Sequence, residues 1–121
     1  MAKEKVLTPE EQKFADESQA RADAIAARIG RKVYPLAFII NERRAAAYIQ
    51  EPSLQAKLSA LDELGTSMTK AGQTILDSSI IKEDSDAAFT SLKSEDDAFR
   101  ASAIMECISI LEVGNNLIKK K

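Results

Sequence analysis

The stretch VYPLAFIINERRAAAYIQEPSLQAKLSALD, Val33 to Asp62, decides the fold. Tyr34 to Ile40 is the only long apolar run in the chain. Along a strand, Val33, Ala37 and Ile39 point one way and Tyr34, Leu36, Phe38 and Ile40 the other. Both faces are therefore apolar. Pro35 has no amide to donate, which favours an edge strand or the start of one. After the polar break Asn41-Glu42-Arg43-Arg44, a second apolar run follows at Ala45 to Ile49. A paired strand fits there. So does a short helix, because three alanines are consecutive and Asn41 can cap. An isolated hairpin is marginal in water and needs cover. The chain's own helices can take one face, which leaves room for a second molecule on the other. Pro52 then suits a helix start, with Leu54, Leu58, Leu61 and Leu64 as its inward face and Gly65 as its stop.

On the N-terminal side, Leu7-Thr8-Pro9-Glu10-Glu11 predicts a helix start: Thr8 caps, Pro9 suits the first turn and Glu11 completes a capping box. Phe14, Ser18, Ala22, Ile25 and Ile29 recur at spacings of three and four, a thin stripe ending near Gly30. Such a helix either packs on its own domain or stands partly free as an arm for a partner.

On the C-terminal side, Thr66 or Ser67 caps another helix with Met68, Ala71 and Ile75 inward. Gly72 costs that helix about 1 kcal/mol relative to alanine, which points to a close helix crossing. Ile80-Ile81 precedes the acidic connector Lys82 to Asp86. Ser85 is expected to cap a short helix carrying Ala88, Phe89 and Leu92. Ser94-Glu95-Asp96-Asp97 begins the last helix, since carboxylates favour the positive end of the helix dipole. Its apolar face is Phe99, Ala103, Ile104, Cys107, Ile108 and Leu111, and Gly114-Asn115-Asn116 is expected to end it before a basic tail. The expected core is Leu54, Leu58, Leu61, Ile75, Phe89, Phe99, Ile104, Ile108 and Leu111.

The totals fit this reading. The 121 residues make one domain, enough to bury roughly two-thirds of the unfolded surface. Its expected parts are an N-terminal helical arm (1–30), a β-hairpin (33–50), a helical body (52–113) and a basic tail (114–121). The fold class is mainly α (α+β). With four Phe, two Tyr and no Trp, the core must be built from Ala, Leu and Ile, which suits close-packed helices. A net charge of −2 gives no global pull towards nucleic acid or anionic membrane. One cysteine, Cys107, cannot make an internal disulfide, and no apolar run approaches signal-peptide or bilayer length. The expectation is a cytoplasmic protein without membrane or nucleic-acid partners.

The residues offer little catalytic equipment. There is no histidine, so the commonest general base and metal ligand is missing. Cys107 lies on an apolar helix face, where a thiol is inert. Asp84-Ser85-Asp86 starts like a calcium loop, but Ala88 and Phe89 stand where an oxygen ligand and a glycine are needed. The glycines are scattered and form no phosphate-cradling loop. The expectation is a non-enzyme with no cofactor and no metal.

The order of signals over residues 33–86 resembles the tail assembly chaperones of long-tailed bacteriophages. Those are small proteins with a short β segment, an aromatic-aliphatic-x-x-Pro step and a leucine-spaced helix. The matching residues are Tyr48-Ile49-Gln50-Glu51-Pro52, then Ser53-Leu54-Gln55-Ala56-Lys57-Leu58-Ser59-Ala60-Leu61-Asp62. Ala71-Gly72-Gln73-Thr74-Ile75-Leu76 and Ser79-Ile80-Ile81 look like the family's second helix and its closing apolar step. Members often carry glycine before the aromatic; this chain has Ala47. The resemblance implies a non-enzymatic factor, working in the host cell cytoplasm, that coats the helical tape-measure protein and helps load tail-tube proteins. The apolar hairpin faces and the stripe of the first helix, as surplus apolar surface, add the expectation of a tendency to self-associate as a homo-oligomer. In such families ribosomal frameshifting near the end often makes a longer product, and Lys119-Lys120-Lys121 fits an adenine-rich slippery run. The expected protein-binding residues are Phe14, Ile25 and Ile29 on the first helix, with Tyr34, Leu36 and Phe38 on the hairpin. Two other classes compete. One is a structural head-tail or tail component of the particle. The other is a small helix-turn-helix nucleic-acid-binding protein, suggested by the helix, glycine turn and helix of Leu54 to Ile75. Only Lys70 is basic on that second helix, however, and phosphate contacts dominate such binding.

Overall fold

A computed structural model describes residues 8–119, and side-chain environments up to residue 111. The chain is mainly helical with one antiparallel hairpin: α1 (Pro9–Ile29), β1 (Val33–Ile40), β2 (Arg43–Gln50), α2 (Leu54–Leu64), α3 (Met68–Ser79) and α4 (Asp97–Lys119). Two single turns of 3₁₀ helix, Ala87–Phe89 and Ser94–Asp96, lie between α3 and α4.

Local chemistry sets most of these limits. Thr8 Oγ1 accepts from the Glu11 amide at 3.1 Å and the Glu11 carboxylate accepts from the Thr8 amide at 2.9 Å, the reciprocal bonding of a capping box. Gly30 ends α1 with φ 73° and returns its amide to the Ala26 carbonyl. Ser53 and Ser67 cap α2 and α3, so Pro52 stands just before the cap. The hairpin turns on Asn41 (φ 51°) and Glu42 (φ 68°). Two successive left-handed residues match the right-handed twist of the strands they join. Residues 43–50 are strand, and the ladder explains why: Leu36 faces Ala47, Ala37 faces Ala46 and Phe38 faces Ala45. The three alanines receive the bulk of the facing strand or of the helices above and below it.

Both faces of the hairpin are covered from within, which corrects the expectation that one was left for another molecule. α1 lies on the face made by Val33, Ala37, Ala46 and Tyr48, bringing Ala22 and Ile25 with Phe14 and Ile29 at the margin. α3, α4 and the turn Ala87–Phe89 take the other face, where Leu36, Ala45, Ala47 and Ile49 meet Ile75, Phe89, Phe99 and Cys107. An exposed hairpin face would leave several large apolar side chains in water, each worth about 1.5–3 kcal/mol when buried. α1 therefore packs on its own domain. Gly72 is the close crossing of α3 on α4: a Cβ there would stand 2.8 Å from Ile108 Cγ1 and 2.9 Å from Ile104 Cγ2, and closer still to the Ile104 carbonyl.

Ile75, Phe89, Phe99, Ile108 and Leu111 are buried, and Leu61 and Ile104 are half-buried against the core. Leu54 and Leu58 are not core residues: they are 71% and 53% exposed. α2 packs through Ala60, which is wholly buried, and Leu58 lies roughly 200° around the helix from it. A small side chain lets α2 approach α3 closely, so the alanine, not the leucine stripe, turns inward. Ser85 caps no helix either. Its hydroxyl accepts from the Tyr48 amide at 2.9 Å and donates to the Ile81 carbonyl at 2.8 Å, and the turn at Ala87–Phe89 has no side-chain cap. Leu92, placed on that helix by its spacing, is 88% exposed. α4 continues through Gly114-Asn115-Asn116 to Lys119. A glycine in a helix costs only about 1 kcal/mol, too little to stop one of this length. The tip of the expected slippery run, Lys120-Lys121, lies outside the described residues.

Candidate protein-binding surface

The step Tyr48 to Pro52 delivers the chain from β2 into α2, and Glu51 holds that corner. Its carboxylate accepts from the Tyr34 hydroxyl at 2.7 Å and pairs with Lys57 Nζ at 2.7 Å. Its carbonyl accepts from Arg31 at 2.6 Å and its amide donates to the Lys32 carbonyl at 2.8 Å. Burial, helped by the neighbouring Glu51 carboxylate, pushes the Tyr34 phenol up to about 12. Strand β1 with the residues before it, the first turn of α2 and the linker from β2 are thus tied at one point, so the orientation of α2 is set from its first turn.

What that orientation presents outward is Leu54 and Leu58, one turn apart, with Gln55 and Ser59 beside them and Lys57, already paired with Glu51, as the only charge before Asp62. An exposed leucine is ordinary; two large ones at i and i+4 on a firmly anchored helix make a patch with a shape. Met68 and Met105, 50% and 56% exposed, are the other large apolar side chains at helix surfaces among the described residues.

The six residues expected from sequence to bind a partner fall elsewhere. Ile25 and Leu36 are buried inside the chain, Ile25 between α1 and one hairpin face, Leu36 between the other face and α3–α4. Phe14, Ile29, Tyr34 and Phe38 are half-buried at the margins of those same clusters. Phe14 and Phe38, which pack on opposite faces of the hairpin, both border an open slot beside β1. The exposed pair Leu54 and Leu58 was expected in the core instead. Leucine spacing alone does not say which of two stripes faces in; the alanines Ala56 and Ala60 at the same spacing are the available signal.

Away from α2, two acidic side chains pair across the chain. Asp84, its side chain 8% exposed, receives Arg28 at 2.7 Å and Arg21 at 3.2 Å. The Arg28 hydrogen bond, followed by both positive charges, holds this carboxyl below the usual range even though burial works the other way. It pins α1 to the connector after α3. Asp96 likewise takes Arg43 at 3.0 Å, and that guanidinium lies 5.0 Å from the centre of the Phe99 ring. These pairs lock elements together, and their partners are accounted for. Cys107 is buried, and burial pushes its thiol up to about 12, which keeps it protonated and unreactive at neutral pH. Among the described residues no three acidic or cysteine side chains gather as a metal site, and no helix is long and apolar enough to cross a membrane. Comparison of the chain with family models, with curated proteins and with solved structures finds no match in any of the three.

Proposed function

We propose that this chain is a non-enzymatic assembly factor, a tail assembly chaperone of a long-tailed phage, and that α2 is the helix it offers to its partner. The observation that carries the reading is the exposed pair Leu54 and Leu58 on a helix whose start is held by Glu51. An apolar stripe of this kind complements a helix with its own i, i+4 anchors. A tape-measure protein before assembly carries such stripes along most of its length. The pair follows directly on the Tyr48 to Pro52 step through which the chain resembles that family. Covering both leucines would recover roughly 2–3 kcal/mol, given how much of each is exposed. That suits a contact made in many copies and later released.

Co-expression with the tape-measure protein of the same phage, followed by pull-down, tests the reading. Retention of the partner by the wild-type chain supports it. Failure to bind with both proteins folded overturns it, as does finding this chain in purified virions, since a chaperone leaves before the particle is complete.

A further inference from the structure

The two long edges of the hairpin are finished differently. The connector after α3 closes the outer edge of β2. The Ile81 amide donates to the Tyr48 carbonyl at 2.8 Å and the Asp86 amide to the Ala46 carbonyl at 3.0 Å. The Ala46 and Tyr48 amides donate in turn to Asp86 Oδ2 at 2.8 Å and Ser85 Oγ at 2.9 Å. These bonds show that Ala46 and Tyr48 aim their backbone groups away from β1. Their ladder partners are Ala37 and Pro35, and in an antiparallel pair both members of such a couple face outward. The Pro35 carbonyl, the Ala37 amide and carbonyl and, by alternation, those of Ile39 therefore point out from the other edge. Pro35 stands where no inward amide is needed, so the ladder loses nothing to it. Among the described residues no hydrogen bond reaches the outward groups of Ala37 and Ile39.

That edge is the floor of a slot of about 280 Å³, walled by Glu11, Phe14 and Ala15 of α1 on one side and Ser102 of α4 on the other. Residues 37–40 of β1 line it and none of β2 does, so it opens along the free edge and not at the hairpin tip. We propose that this slot accepts an extended segment of a partner polypeptide, added to β1 as a third strand through the backbone of Ala37 and Ile39. A row of unpaired amides and carbonyls is matched by another backbone, which a helix or a small apolar molecule cannot supply. A second copy of the chain cannot offer its own β1, because that edge is recessed between its own α1 and α4 in the same way. No charged side chain lies on β1, and the Glu11 carboxylate on the wall already holds the Thr8 amide. The fitting segment is therefore uncharged, with modest side chains alternating between Phe14 and Ser102, over about five residues or 17 Å. This site shares no residue with the α2 face and stands or falls separately.

The test is amide hydrogen exchange, followed by NMR on the full chain, with a blocked hexapeptide of alternating valine and threonine as the probe. In the free chain, Ala37 and Ile39 should exchange at least about tenfold faster than the inward-bonded Leu36 and Phe38. Millimolar probe should slow those two amides about tenfold or more and leave Ala46 and Tyr48 unchanged. Ala37→Pro removes one outward donor at a position equivalent to Pro35 and should abolish the response. Ser102→Phe, which fills the slot without touching the strand, should do the same if the proline variant is poorly folded. The proposal is overturned if the probe changes neither amide. It is also overturned if both are already protected in the free chain. Loss of that protection on dilution would then assign the edge to a second copy, and loss on deletion of residues 1–7 to the chain's own N-terminal segment.

Discussion

Replacing Gly72, inside α3, and Gly65, the cap after α2, by alanine makes the same chemical change at two places, and the structure predicts opposite signs. At Gly72 the new methyl would meet the Ile104 carbonyl of α4, with Ile104 Cγ2 at 2.9 Å and Ile108 Cγ1 at 2.8 Å. Two isoleucine ends can give a little, but a backbone carbonyl inside a helix cannot move without the helix. Overpacking of this kind costs about 1–3 kcal/mol, against a gain of about 1 kcal/mol from better helix propensity. Because the nearest atom is backbone, the cost falls at the upper end, and the net loss should be about 1–2 kcal/mol. At Gly65 the backbone is right-handed (φ −66°) and the nearest neighbour of an added Cβ is the Asp62 carbonyl at 3.8 Å. Alanine there should gain about 0.4–1 kcal/mol by restricting the unfolded chain. Thermal unfolding followed by circular dichroism separates the two, since 1 kcal/mol moves the midpoint of a domain this size by roughly 4 °C. A Gly72→Ala protein as stable as the wild type would refute the close α3–α4 crossing on which the whole core arrangement rests.

Two further outcomes follow from the charged and sulfur groups. Asp84→Ala removes the anchor of Arg21 and Arg28; since both arginines are about half exposed, the loss should be about 1 kcal/mol at neutral pH. The Asp84 carboxyl is held below its ordinary value, so its contribution is full above the unfolded value of about 3.9 and fades as pH falls through the lower folded one. Urea midpoints at pH 7 and pH 3 should therefore differ less for the variant than for the wild type, and an equal pH dependence would count against the clamp. Cys107 should resist a water-soluble thiol reagent at pH 8 in the native chain and react fully in denaturant; rapid native labelling would contradict the burial of that face of α4.

Features governed by near neighbours are legible in the sequence. The Thr8 box, the Gly30 cap, the apolar β1 and the crossing at Gly72 each need only a few adjacent residues and a known preference. The direction α2 faces is not legible in the same way. Leu54 and Leu58 are as regularly spaced as a core stripe, and only contact with α3 shows that Ala60 is the residue turned in. Strand β2 is open between strand and helix in sequence because alanine favours helices, and it is the ladder to β1 that decides it. The acidic connector hides most. Asp84, Ser85 and Asp86 read as solvated charge or a broken calcium loop, yet they bind two arginines and the edge of β2, partners between 37 and 63 residues away in sequence. The candidate surface suffers from the same gap. Sequence spacing marks which residues are apolar, and it cannot say which apolar residues the chain has already used on itself.

The most direct test of the proposed function is the affinity of a phage tape-measure protein, the proposed partner, for the wild-type chain and for Leu54→Gln/Leu58→Gln, by titration calorimetry. Glutamine keeps the helix, and both side chains are surface-exposed, so each change should alter stability by no more than about 0.5 kcal/mol. On the proposed function, losing the roughly 2–3 kcal/mol expected from covering the pair should weaken binding between about 30- and 150-fold. An unchanged affinity with both proteins folded would contradict the proposal that the leucine face of α2 is a binding surface.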